Sequence, residues 1–273
     1  MSYRRILTIQ DVSCIGQCSM TVALPILSAC GHEVCILPAA VMSTHTGGFG
    51  RPEVVNLTDS MEAIQRHWQR QGILFDAIYT GYLGSIDAVR IASRIMDEML
   101  APGGKVIVDP AMADHGKLYS GLTEAYANEM IQLCLRADVM LPNITEAAMM
   151  TGMEYRDAPD EAYIRTLLEN LDGGDVVLTG AGFEPGKTGA AIRCGRNTSY
   201  YFHDRVNRNF HGTGDIFASA FVGAFLQEKT LEQSVQIAAD YTEKCIHYTV
   251  ENPAHWYGVK FETALPDLIK MLQ

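Results

Sequence analysis

Short runs of consecutive apolar residues alternate along this chain with stretches whose apolar positions recur three and four apart. The first pattern fits strands buried on both faces, and the second fits helices that bury one face. Residues 6–9 predict a first strand, followed by a loop at Ser13-Cys14-Ile15-Gly16. Met20, Ala23, Leu24 and Leu27 then predict a helix that stops at Gly31, with Pro25 inside it as a kink or first-turn residue. Residues 34–37 predict a second strand, and residues 77–80, 106–108, 139–141 and 176–178 predict four more. Helices are predicted between them, from Ile91, Ile95, Met96 and Met99 up to Ala101-Pro102-Gly103-Gly104, over 123–136, and from Thr145 as cap to Met150. Residues 189–193 and 199–203 then predict a hairpin around Gly195-Arg196-Asn197, and the last third is helical. Strand and helix in alternation imply an α/β chain with a mostly parallel sheet. No repeat or linker divides the 273 residues, which read as one domain.

Sheets of this kind bind ligands beyond the carboxyl ends of their strands. The polar residues at those ends are Gln10, Asp11 and Ser13, then Thr46, Tyr82, Asp109, Asn143 with Glu146, and Thr179. Thr46 belongs to a hydroxyl- and glycine-rich segment, 41–52, of the kind that carries binding residues. The last such group is Gly212-Thr213-Gly214-Asp215, inside the stretch 207–221 and directly before a helical pattern of Ile216, Phe217, Ala220 and Phe221. Two glycines at a helix mouth let backbone N–H groups converge where the helix dipole also favours an anion. Asp215 would repel a stored phosphate there, so it reads either as a plain helix-start residue or as a base that accepts a proton during phosphoryl transfer.

Composition narrows the partners. Hydrophobic residues make up 48% of the chain and charged ones 19%, a globular balance. A net charge of −11 argues against nucleic acid, which calls for a basic stripe. No apolar run reaches membrane-spanning length, and the N-terminus lacks signal-peptide shape, so a cytoplasmic protein is expected. Seven cysteines, mostly in apolar runs, read as reduced core thiols, and Cys14 and Cys18 lack the second pair a zinc site needs. Gly182 to Thr188 imitates a P-loop but has three residues between its glycines instead of four. Lys187 there reads as a solvated hairpin lysine or as a loop cation near phosphate. His45 and His211 flank candidate site residues and read equally well as loop histidines without a role.

The glycine turn resembles the anion hole and base of the ribokinase-like small-molecule kinases, and among these the pyridoxal kinase family. Ser43-Thr44-His45-Thr46, Gly81-Tyr82-Leu83-Gly84-Ser85, Val108-Asp109-Pro110, Pro142-Asn143-Ile144-Thr145-Glu146 and Val177-Leu178-Thr179-Gly180 resemble that family's blocks in their order. The resemblance implies a three-layer α/β/α sandwich with a mostly parallel central sheet, a late β-hairpin and no separate lid domain. It implies ATP- and Mg²⁺-dependent phosphorylation of the 5′-hydroxymethyl group of a B6 vitamer, in pyridoxal phosphate salvage, with a monovalent cation as a further candidate and a homodimer as the assembly. Asp215 would be the base, and the backbone of Gly212, Thr213, Gly214 and Asp215 would hold the transferred group. Asp109 and Glu146 would hold Mg²⁺ directly or through water. Asn143, Glu146, Thr179, Gly180 and Thr213 would meet ATP, while Asp11, Thr46 and Tyr82 would meet the vitamer. Related readings are a hydroxymethylpyrimidine kinase and a non-catalytic vitamer-binding protein. Pyridoxal kinases commonly place Ser after the Ile-Gln pair of the first strand, where this chain has Asp11 after Ile9-Gln10. That departure predicts a preference for pyridoxamine or pyridoxine over the aldehyde.

Overall fold

Successive residues of a strand point to opposite faces, so a strand apolar throughout needs a hydrophobic layer on each side. The computed structural model, which describes residues 2–206, 208, 210–252 and 254–273, has that arrangement. Asn207 and Asn209, at the start of the glycine-turn stretch, lie outside the described residues. The chain runs β1 (Arg5–Ser13), α1 (Met20–Ala29), β2 (Glu33–Met42), β3 (Val54–Asn56), α2 (Thr58–Arg70), β4 (Phe75–Thr80), α3 (Ile86–Met99) and β5 (Leu100–Val108). A small hairpin of β6 (Ala113–Asp114) and β7 (Lys117–Leu118) precedes α4 (Glu124–Cys134), β8 (Val139–Met140), α5 (Ile144–Thr151), α6 (Glu161–Asn170) and β9 (Asp175–Ala181). The hairpin β10 (Lys187–Cys194) and β11 (Asn197–Asp204) leads to α7 (Thr213–Leu226), α8 (Leu231–Val250), a short 3₁₀ turn and α9 (Leu265–Met271).

Nine strands form one sheet in the order β11-β10-β9-β8-β5-β4-β1-β2-β3. The six from β9 to β2 are mutually parallel, while β10, β11 and β3 run antiparallel at the edges. Leu7, Ile9, Ile78, Val108, Met140 and Leu178 join the core beneath α2 to α6. Ile6, Tyr79, Ile107, Val139 and Val177 join the opposite core beneath α1, α7, α8 and α9. Each such aliphatic side chain contributes roughly 1.5–3 kcal/mol through burial, which makes the three-layer arrangement the stable one. The expected α/β/α sandwich with its mostly parallel sheet and late hairpin is therefore the observed fold.

The chain steps outward from β1 to β2, then returns to place β4 on the other side of β1. This reversal opens a crevice at the carboxyl ends of β1 and β4, where ligands of such sheets bind. Asp11 N donates to Tyr82 O at 3.0 Å and Asp109 N to Thr80 O at 2.9 Å across that rim.

Several expected boundaries move. β1 and β9 are longer than their apolar runs because ladder bonds continue into polar residues, and β2 runs on through Pro38 to Met42 beyond the expected 34–37. Ala101-Pro102-Gly103-Gly104 lies within β5, not in a closing turn. Asn143, not Thr145, caps α5, since its side chain accepts from Glu146 N in a reciprocal capping box; Thr145 Oγ1 accepts instead from Gly116 N at 3.0 Å. The helices α2 and α6 and the edge strand β3 go unread in the sequence. In α2 only Met61 and Gln65 are buried, too few to mark a face.

Candidate active site

A cavity of about 580 Å³ opens at the carboxyl ends of the parallel strands. It is lined by all twelve candidate residues, from Asp11, Thr46 and Tyr82 through Asp109, Asn143, Glu146, Thr179 and Gly180 to Gly212, Thr213, Gly214 and Asp215. Gln10 is excluded, because its side chain turns into the sheet and donates to Thr8 Oγ1 at 2.9 Å. Five carboxylates line the space (Asp11, Asp109, Asp114, Glu146 and Asp215), and among the described residues no lysine or arginine does. A ligand carrying phosphates would meet backbone N–H groups and any cation it brings, not a basic side chain.

The glycine turn is built by backbone geometry. Gly212 caps α7 at φ 81°, in the left-handed region that favours glycine. A Cβ there would lie 2.3 Å from the Gln17 carbonyl oxygen, so the position needs glycine on both grounds. Gly214 faces open space. The first N–H groups of α7 lack intrahelical acceptors and carry the positive end of the helix dipole. Asp215 is the third residue of that helix and makes no cap bond. It faces the Ser19 backbone and the Cys18 thiol, and its carboxyl is pushed up to about 7, first by burial and then by the charge of Asp109. A carboxyl poised there can exchange a proton near neutral pH.

Asp109 follows β5. Its Oδ1 accepts from Ala111 N at 3.1 Å, and burial, then the charge of Glu146, raises its pKa. Glu146 is raised as well, with burial the leading cause. Glu146 is also a brace. Its Oε1 accepts from Met112 N at 2.9 Å and Ala113 N at 3.3 Å, and its Oε2 accepts from Asn143 N at 2.9 Å. Asn143 Nδ2 donates to Ala113 O at 2.8 Å, completing the tie between α5 and the 110–113 loop. Two neighbouring buried carboxyls with raised pKa values suit a divalent cation that keeps most of its waters, and Mg²⁺ is bound by one or two carboxylates plus substrate phosphates. Asp109 fits as a direct ligand. Glu146, with both oxygens engaged, fits as a charge acting behind it. Among the described residues no group of three or more His, Cys, Asp or Glu forms a protein metal cage, at Cys14 and Cys18 or elsewhere.

At the β9 side of the cavity, Thr179 N donates to Pro142 O at 2.8 Å, and Gly180, near the end of the strand, turns with φ 68°. Ala239, Thr242 and Ile246 of α8 form a more apolar wall. Lys187 takes no part, since its Nζ pairs with Asp204 Oδ1 at 2.8 Å at the start of the hairpin.

At the other end, Tyr82 stands 6.5 Å from Tyr119, ring centre to ring centre. His45 is buried against His211 with ring centres 5.1 Å apart, and its Nδ1 accepts from Gly47 N at 2.8 Å. A Cβ at Gly47 would lie 2.5 Å from the His211 ring, so the 43–50 segment and the glycine-turn approach pack face to face. His45, His211, Cys18 and Ser19 thus belong to the cavity wall. In the sequence only the closeness of the two histidines to candidate residues hinted at it.

A family model described as phosphomethylpyrimidine kinase matches residues 32–259. The chain belongs to that kinase family. A pyridoxine/pyridoxal/pyridoxamine kinase of Bordetella avium is 29% identical over 258 residues, covering 89% of this chain and 85% of its own. The pyridoxal kinase of Lactobacillus plantarum superposes with TM-score 0.91 at 29% identity, covering 98% of this chain and 97% of that one. A Bacteroides thetaiotaomicron structure that carries the name of a phosphomethylpyrimidine kinase, crystallised with pyridoxal, gives TM-score 0.89 at 31% identity, covering 97% and 95%. A Leishmania donovani pyridoxal kinase in complex with ADP and pyridoxamine shares the fold, with TM-score 0.82 at 21% identity, covering 97% and 95%. This chain is thus a kinase of the pyridoxal and phosphomethylpyrimidine kinase class, as its resemblance to pyridoxal kinases implies. Among the described residues no helix is long and apolar enough to cross a membrane.

Proposed function

We propose that this kinase transfers the γ-phosphoryl group of ATP to the 5′-hydroxymethyl group of a B6 vitamer. The observation that carries the reading is the position of Asp215. It stands at the N-terminus of α7 in the one cavity that is also lined by Asp11, Thr46 and Tyr82, the proposed acceptor side, and by Asn143, Thr179 and Gly180, the proposed donor side. Asp215 takes the hydroxyl proton as the oxygen attacks phosphorus, and its raised pKa suits it to that exchange. The N–H groups of Gly212 to Asp215 hold the charge on the transferred group, each worth on the order of 3 kcal/mol in comparable sites. Asp109, with Glu146 behind it, would hold Mg²⁺, which supplies charge neutralisation to the phosphates when bound. Tyr82 offers the ring an aromatic face.

The vitamer bound in the Bacteroides thetaiotaomicron structure and the ADP and pyridoxamine in the Leishmania donovani one support the substrate pair. A single-domain, cytoplasmic homodimer serving pyridoxal phosphate salvage, with a monovalent cation as candidate cofactor, completes the reading on family resemblance. The matched phosphomethylpyrimidine kinase family, with a relative named for hydroxymethylpyrimidine as well, makes hydroxymethylpyrimidine the second acceptor to test. ADP release with pyridoxal, pyridoxine, pyridoxamine, hydroxymethylpyrimidine and ribose separates these readings. Turnover of the pyrimidine alone would reject the vitamer assignment, and no turnover of any acceptor would favour a binding protein.

A further inference from the structure

Tyr79 carries a hydroxyl into the core behind the cavity, where a plain aromatic ring would pack as well. The residue belongs to β4 and joins the core beneath α7. It pairs with Thr8 of β1, and Gln10, two residues on, shares that face of the strand. Gln10 Nε2 donates to Thr8 Oγ1 at 2.9 Å. The other end of its amide lies across Gly81, where a Cβ would come within 2.8 Å of Gln10 Oε1. The Tyr79 hydroxyl faces Ser219 from the helix side and Gln10 from the sheet side. Burial, then the charges of Asp109 and Asp215, holds that hydroxyl protonated well above the usual tyrosine range. Thr8, Gln10, Tyr79 and Ser219 are each 0% exposed, and none of the four lines the cavity.

Four buried polar groups from two strands and a helix destabilise the core unless they satisfy one another. Their placement shows what they hold. Ser219 stands one turn after Asp215 on the same side of α7. It is the one polar side chain among the ten buried residues of that helix. The other nine are Ile, Phe, Ala, Val, Gly and Leu, whose packing is non-directional and fixes rotation about the helix axis only weakly. The first turn has no side-chain cap either, because its capping residue is Gly212. A hydrogen bond is directional, so the meeting of Ser219 with Tyr79 supplies what the rest of α7 lacks. We propose that Tyr79 is a positioning residue, which through Ser219 fixes the rotation of α7 over β4 and so sets where Asp215 meets the reacting hydroxyl. Thr8 and Gln10 orient the Tyr79 hydroxyl from β1. This role rests on the kinase reading above.

The test measures kcat and KM by ADP release, with each acceptor of the panel above, in wild type, Tyr79→Phe, Ser219→Ala and the double variant. Tyr79→Phe removes one hydroxyl and keeps the ring in the core, and Ser219→Ala removes its partner with a residue that suits a helix. Each single variant is expected to lower kcat at least about fivefold with KM for ATP and acceptor within about twofold, because a misplaced base slows only the chemical step. The double variant should lose no more than about twofold beyond either single, since both changes break one contact. A smaller loss in either single, a loss carried by KM, or a greater loss in the double overturns the inference. A side chain that only supports the fold would lower Tm without that split between kcat and KM. Should one single variant fail to fold, the other decides. If no acceptor is phosphorylated, the kinase reading fails on its own, and amide hydrogen exchange at residues 216–219 decides. Exchange at least about fivefold faster in Tyr79→Phe then upholds the tie to α7, and a smaller change refutes it.

Discussion

Replacing Asp215 by Asn removes the proposed base while keeping its shape at the mouth of α7. General-base assistance contributes about 10²–10⁴ in rate, so kcat should fall by at least about a hundredfold, or roughly 3 kcal/mol of barrier. The wild-type profile should carry a matching signature. With the carboxyl pushed up to about 7, only about one molecule in ten has the carboxylate at pH 6, so activity should fall about tenfold per pH unit below 7. Stability should move the other way. The folded pKa lies above the unfolded value of about 3.9, so what Asp215 contributes to the fold is intact below pH 4 and lost as pH rises through 7. The Asn variant should therefore gain on wild type between pH 5 and pH 8. The gain is on the order of 2 kcal/mol, once solvent access from the cavity is allowed for. ADP release with saturating vitamer from pH 5.5 to 9, with urea unfolding at pH 5 and pH 8, reads all three quantities. An Asn variant within tenfold of wild type, or one that keeps the acid limb, would refute the assignment.

Asp109→Asn should raise the Mg²⁺ concentration for half-maximal activity about tenfold or more, and should raise Tm near neutral pH by relieving its repulsion with Glu146. A metal titration at fixed ATP with a melting curve checks both, and an unchanged Mg²⁺ requirement would count against metal ligation. Gly212→Ala should cost at least about 1–3 kcal/mol, because φ 81° strains any Cβ and this one meets the Gln17 carbonyl at 2.3 Å. Chemical denaturation measures the loss, and wild-type stability would show that the turn relaxes freely. Glu146→Gln turns an amide NH₂ toward the N–H of Asn143 or of Met112 and should cost about 1–3 kcal/mol. A stability unchanged in urea would mean the capping box is dispensable.

The layered fold was legible because burial on both faces leaves a signature in single short segments. Runs such as residues 106–108 and 176–178 fit strands covered on each side, and Ile91, Ile95 and Met99 mark a helix with one apolar face. What escaped were elements whose apolar content is low, such as α2, and boundaries that ladder bonds carry beyond the apolar residues, as in β1. Candidate site residues were legible as polar punctuation at strand ends, because that placement follows from chain connectivity alone. The bulge that turns Asp11 away from Gln10 left no trace, since it depends on how β1 registers against β2. Likewise, Glu146 reads as a metal ligand along the chain, but in space its oxygens brace Met112, Ala113 and Asn143.

The sequence by itself determined the layers, the run of strand ends and a glycine turn able to hold an anion, because each follows from local periodicity and backbone chemistry. Only the tertiary structure decided the raised pKa of Asp215, the crowding of Asp109 beside Glu146 and the burial of Asp11. Those properties depend on burial and on neighbours distant in the chain, and local pattern carries neither.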